Sequence, residues 1–351
     1  MKKVITIFLV VASVFSFASA YNPPVGAEKM FDYSSPNALS GNMTVTGGAL
    51  FNSGADSLIV NPALAAGEQR VSLNLGYTFL HSYGGENTEF GGAFQTAILI
   101  HYKLFVFSGY LNGTFMPFSE MNIGNSFNIK ASLSKEITDK LDIGLGINGG
   151  IAWSDKATWA LSANLGFNYN YGDLWIFKDF RYGASMLNLG KNYILVNNPG
   201  VDIYNKSTHF PSILTIKIGA AGTVFDNDFL DIGVAMDLTT TLFLNLIADF
   251  NAQIVFKDFV FLSIGESINV TESAYNRWSA IPSVSVGVKF SLDVKNNQYF
   301  DKNGWSKNEM SVSTGYKNLY GSVNAYSAGV DLDLGMKDTT PPVIKFLDEE
   351  E

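Results

Sequence analysis

Ionisable side chains are scarce in this sequence, and their spacing limits the chemistry open to it. Only 16% of the 351 residues are charged. Lys217, Asp237, Asp249, Lys289 and Asp142 fall on the polar side of alternating segments and are expected to face an interior. Such charges either pair and stiffen a wall or bind an oppositely charged ligand, and Lys217 and Lys289 are the candidates for holding a carboxylate. His81, His101 and His209 have no partner at helical or short-gap spacing, so no metal site is expected. Cysteine is absent, which excludes disulfides, metal thiolates and thiol nucleophiles. No Gly-x-Ser-x-Gly elbow occurs, and neither enzymatic activity nor a cofactor is expected. In Asn61-Pro62-Ala63 the proline fixes its own φ and biases Asn61 toward extended backbone, while the Asn61 amide can bond nearby main chain. This is first a structural turn and second a ligand contact.

The elements that must position these residues are short and alternating. Val71, Leu73, Leu75, Tyr77 and Phe79 interleave with Ser72, Asn74, Gly76 and Thr78, which gives a strand with one apolar and one small-polar face. The pattern recurs at Ile143, Leu145 and Ile147, at Leu161, Ala163 and Leu165 against Ser162 and Asn164, and at Leu242, Leu244, Leu246 and Ala248 against Asn245 and Asp249. A sandwich would carry Lys and Glu on its polar face, whereas Ser, Asn, Gly and Thr suit a lumen. About fourteen such segments are expected, near 71–81, 92–101, 103–114, 127–136, 140–153, 158–169, 180–189, 211–225, 229–238, 241–256, 258–270, 278–292, 309–318 and 321–335. Each is about as long as a tilted strand crossing a bilayer. Short polar turns alternate with long connections, the mark of an up-and-down barrel, with the long ones extracellular and the short ones periplasmic. Residues 293–308 break this alternation: either that turn is unusual or the count is off by one. Trp153, Trp159, Tyr169, Trp175 and Trp278 are expected in interfacial girdles, and Phe243, Ile247, Phe259 and Phe261 inside.

Lys2 and Lys3 precede an apolar run from Val4 to Phe17, and Ala18-Ser19-Ala20 supplies a cleavage site, so residues 1–20 read as an export signal. The chain beyond it contains no run of about 18 apolar residues, yet 47% of the whole is hydrophobic and 14% aromatic. An exported chain of this composition without a spanning helix is expected to be a transmembrane antiparallel β-barrel in the outer membrane. Its net charge of −9 without basic clusters excludes nucleic acid. Residues 21–70 lack barrel alternation and read as a flexible lead-in or a plug. The barrel follows over 71–336, and 337–351 form an acidic tail.

Two segments resemble a known family. Ala55-Asp56-Ser57 followed by Asn61-Pro62-Ala63, and Asn188-Leu189-Gly190 followed by Phe210-Pro211 and Lys217-Ile218-Gly219, resemble FadL-like and PorV-like outer-membrane proteins. The resemblance implies a fourteen-stranded barrel with an N-terminal hatch in its lumen, inserted by the barrel assembly machinery among outer-membrane lipids. In FadL-like members it implies uptake of hydrophobic small molecules such as long-chain fatty acids. In PorV-like members it implies a non-conducting barrel that is a partner in protein secretion or surface assembly. Apolar inward residues favour the first.

Overall fold

The computed structural model describes residues 26–50, 54–68, 70–83, 88–102, 104–116, 121, 124–153, 157–191, 193, 214–274, 278–293 and 307–335. Its strands are β1 (Val71–Ser82), β2 (Glu89–Tyr102), β3 (Phe105–Phe115), β4 (Asn125–Thr138), β5 (Leu141–Trp153), β6 (Ala157–Leu174) and β7 (Phe177–Lys191). The second half holds β8 (Thr215–Asp226), β9 (Leu230–Thr241), β10 (Asn245–Phe256), β11 (Val260–Asn269), β12 (Ser283–Asp293), β13 (Lys307–Leu319) and β14 (Val323–Leu334). Each pairs antiparallel with its sequence neighbours, and β1 closes on β14, from Val71 opposite Leu334 to Ser82 opposite Val323.

Alternation determines which face each residue takes. Leu145 stands between Leu133 of β4 and Leu165 of β6. It points outward and is 56% exposed, whereas Asn164, one position from Leu165, is 2% exposed. A register slip of one residue would exchange these faces along a whole strand. Outside, exposed Leu75, Ile129, Ile147 and Leu161 form an apolar belt. Aromatic pairs flank it, Phe79 with Phe90 near one rim and Phe259 with Phe290 near the other. Trp159 and Trp175 are exposed as girdle residues should be, and Trp278 donates its indole N–H to the Ser267 carbonyl. A closed sheet with this outer surface leaves no backbone group unpaired in lipid, and the protein is an outer-membrane barrel.

Three findings refine the sequence reading. The fourteen-strand count holds: β12 ends and β13 begins at the rim that carries both ends of the barrel, beside the short connections 139–140, 175–176 and 227–229, and 294–306 lie outside the described residues. The expected strand over 241–256 is cut by a tight turn, with Leu242 at φ 49° and Phe243 at φ 57°. Phe243 is therefore 66% exposed in that turn and Phe259 lies in the turn before β11, while Ile247 does face inward and is 1% exposed. The turn was hidden because its residues are apolar and continue the alternation by chance. The signal segment, the tail, His209, Phe210 and Pro211 lie outside the described residues.

Candidate functional site

Residues 26–50 and 54–68 run along the inward faces of the strands, and the wall is shaped to receive them. Nine inward glycines on nine strands, Gly76, Gly144, Gly166, Gly183, Gly219, Gly233, Gly265, Gly315 and Gly329, each leave space that this segment fills. A Cβ on Gly183 would meet the Val45 carbonyl at 3.1 Å, one on Gly315 would meet Pro36 Cα at 3.2 Å, and one on Gly233 would meet Ala49 Cβ at 2.7 Å. On Gly144 and Gly166 it would collide with Pro62 and Asn61. The glycines are thus small by necessity at a close approach of two chain segments.

The segment forms little regular structure: α1 (Pro36–Leu39) and single turns at 27–29, 55–59 and 62–65. Its main-chain groups must find partners elsewhere, because orphaned buried amides are costly. Wall side chains supply them. Asp237 Oδ2 accepts from Val45 N at 2.7 Å, and Gln253 Oε1 accepts from both Ala49 N and Leu50 N at 2.7 Å. Arg181 donates to the Thr46 and Gly48 carbonyls, and Ser185 Oγ to the Val60 carbonyl at 2.6 Å. Much of the Asn, Gln and Ser on the polar faces is accordingly in contact with protein.

Asn61 is the node of this arrangement. It is fully buried and caps the 62–65 turn, its Oδ1 accepting from Ala63 N at 2.9 Å. Its Nδ2 donates to the Val45 carbonyl at 2.7 Å and to the Phe167 carbonyl of β6 at 3.0 Å. Pro62 and Ala63 lie against Gly144, so all three residues of the motif meet the wall. Arg70 closes the far end of the segment, binding Glu68 at 2.9 Å, Glu309 at 2.9 Å and Asp333 at 3.3 Å.

The lumen has two chemically distinct sides. Toward β8–β13 it is charged: Lys29 Nζ pairs with Asp249 Oδ1 at 2.9 Å, and with Lys217, Asp237 and Lys317 these groups border a small cavity of about 30 Å³. Burial alone would lower the Lys29 pKa, but Asp249 and nearby carboxylates outweigh it and hold the ammonium charged. Glu272, on α2 (Val270–Ala274) above β11, is pushed up to about 7 by burial. Apolar side chains gather in two places, at the rim opposite the vestibule between β1, β2, β13 and β14 and against β2 and β3, while the inward face of β4 is polar, with Ser126, Asn128, Ser132 and Ser134. One buried cluster includes Met30, Tyr33, Leu80, Met116 and Met121, and another Leu58, Val60, Leu99, Val106 and Tyr110. Phe31 packs against both, and Lys130, 3% exposed, lies 3.5 Å above its ring.

The sequence candidates therefore do not converge on one site. Asn61, Pro62 and Ala63 form the segment's seat, Lys217 belongs to the charged side, and Lys289 pairs with Glu309 at 3.1 Å near the rim. That rim surrounds a vestibule of about 1040 Å³ also bordered by Arg70, Asp331 and Asp333. Lys130 and the glycine series were missed. The glycines were visible as polar-face positions, but their partners lie far away in sequence. Among the described residues no group of His, Asp and Glu is arranged to hold a metal.

No protein-family model matches the sequence, and no curated protein matches it. Solved structures do. A TodX monoaromatic hydrocarbon channel with a deletion superposes with a TM-score of 0.54 at 11% identity, over 87% of this chain and 99% of that one. The toluene transporter TbuX of Ralstonia pickettii gives 0.49 at 13%, over 86% and 98%. A Pseudomonas aeruginosa FadL homologue gives 0.45 at 9%, over 84% and 96%. At these identities the likeness is one of fold alone, and in fold the chain resembles the TodX channel.

Proposed function

We propose that the chain conducts hydrophobic small molecules across the outer membrane along the apolar side of its lumen, with residues 26–68 as the hatch. The observation that carries this is the pair of buried apolar clusters joined at Phe31. One fills the rim opposite the vestibule between β1, β2, β5, β6, β13 and β14, and the other lines β2 and β3, where none of the nine seating glycines stands. Elsewhere main chain is keyed into main chain; in this sector side chain packs on side chain, the contact that a modest rearrangement can open for an apolar guest. The TodX channel of the same fold is described as conducting monoaromatic hydrocarbons. Long-chain fatty acids fit the same route, and their carboxylate would meet Lys130 on this side; Lys217 and Lys289 already face carboxylates.

The test uses the absence of cysteine. Ser34 and Asn112 of β3 are hydrogen-bonded across the seam. A disulfide between cysteines placed at both positions would tie the hatch to that wall. Uptake of labelled toluene and of labelled oleate into proteoliposomes should fall at least about tenfold when the pair is oxidised and return on reduction. One observation favours a second reading: the glycine-seated, hydrogen-bonded packing elsewhere fills the lumen as in a non-conducting partner barrel for secretion or surface assembly. Equal uptake by empty, oxidised and reduced liposomes would reject transport in favour of that reading.

A further inference from the structure

At the seat of the hatch, two carboxylates approach each other with no cation between them. Asp56, in the 55–59 turn, is fully buried. Its Oδ2 accepts from Gln95 Nε2 at 2.7 Å and from Ser35 Oγ at 3.5 Å; its Oδ1 has no partner. Asp331 of β14 accepts from Asn74 Nδ2 at 2.6 Å and from Ser311 Oγ at 3.4 Å. Gly54 stands between them: a Cβ there would lie 3.2 Å from Asp331 Oδ1 and 3.9 Å from Asp56 Oδ1, so both oxygens border one methyl-sized gap. The donors are used up. Gln95 Nε2 also serves Asn74 Oδ1 at 2.6 Å, and the neighbouring Arg70 is taken by Glu68, Glu309 and Asp333. Tyr110 of β3 donates to Gln95 Oε1 and offers Asp56 nothing, while Asp333 adds a further carboxylate to the same side of β14. Glu136 of β4 lies beyond, against Gly67.

Asp56 is buried without a basic partner and Asp331 is half-buried beside it, so the two cannot both ionise at ordinary cost. We propose that Asp56 and Asp331 hold one proton between them, one carboxyl neutral beside one carboxylate, and that this proton keeps the hatch seated on the barrel wall. Gly54 and Asp331 both line the large vestibule, so this proton exchanges with the compartment at that rim. Burial raises the Asp56 pKa, in line with this assignment. The sign follows: stabilisation by a raised acid is complete below its unfolded value and is lost as pH rises through the folded one. The hatch is therefore tight on the acid side and loosens on the alkaline side. The inference rests on the hatch packing and holds whatever the barrel conducts.

Infrared spectra of the purified full-length protein should show a protonated carboxyl stretch near neutral pH that Asp56→Asn and Asp331→Asn each remove. Proteinase K cleavage within 54–66, followed over about pH 5–9, should rise toward tenfold per pH unit as pH climbs to the titration in the native protein and level off above it. Asp56→Asn, which keeps the shape without the charge, should flatten that rise and stay protected; Asp331→Asn serves in its place should Asp56→Asn not fold. Glu272→Gln controls for the acid at the opposite rim and should leave the rise intact. The proposal is overturned if the native protein lacks the carboxyl stretch, or if Asp56→Asn and the native protein share one cleavage profile. It is equally overturned if calcium chloride raises the melting temperature of the native protein and not of Asp56→Asn, which would make the pair a metal site.

Discussion

Asn61 shows how one side chain can serve three segments at once. It bonds its own turn, a distant stretch of the hatch and strand β6. Asn61→Ala leaves two buried carbonyls and one buried N–H without partners, and a buried unmade bond costs more than the bond's net worth. The expected loss is about 2–3 kcal/mol, confined to the hatch. Proteinase K should cut within 54–66 in the variant while the boiled and unboiled gel mobilities of the barrel stay distinct. Gly166→Ala meets the same amide from the other side, since its methyl would occupy the place of Asn61 Oδ1 and Pro62 Cδ. It should loosen the hatch to a comparable degree. Asn61→Asp tests the donor role separately, because the acid keeps the cap to Ala63 N and loses both bonds to carbonyls.

Strands were the most legible elements, because a period of two needs nothing beyond neighbouring residues to be seen. Leu145, Leu165 and Leu246 face lipid and Asn164 and Asn245 face inward, as the alternation required. What alternation does not reveal is the partner of a polar face. Gln95, Gln253 and Asp237 look like lumenal water contacts in sequence and instead bind protein, since the segment that meets them is remote in the chain. The segment inside the wall was legible only by its lack of period, and its seat only through the Asn-Pro-Ala turn. This changes the expected effect of inward substitutions. Leu145→Arg puts a charge on the lipid face and should cost about 2–4 kcal/mol in folding yield into liposomes. Ser291→Arg points into the open vestibule and should be nearly neutral, whereas Asn164→Arg has no room under the hatch. Equal yields for Leu145→Arg and Ser291→Arg would reject the register.

For the whole molecule, the question is what the barrel becomes when its contents are removed. Among the described residues all the strands belong to 71–334, and β1 closes on β14 without any help from the segment before Val71. A chain lacking about residues 22–60 should therefore still insert, resist SDS until boiled and give the same strand content. Its interior would differ. Asp237, Gln253 and Arg181 lose their protein partners, and groups of this polarity left inside a closed wall take water in exchange. Water filling the charged side toward β8–β13 gives ions a path, while Leu99, Val106 and Tyr110 keep the opposite side apolar. Planar bilayers should record steady ion conductance from the shortened chain and little from the full one, and saturable uptake of hydrophobic ligand should disappear, because a permanently open pore no longer binds its passenger. A shortened chain that inserts, stays closed to ions and still takes up labelled ligand like the full protein would show that residues 26–68 neither block the lumen nor gate it.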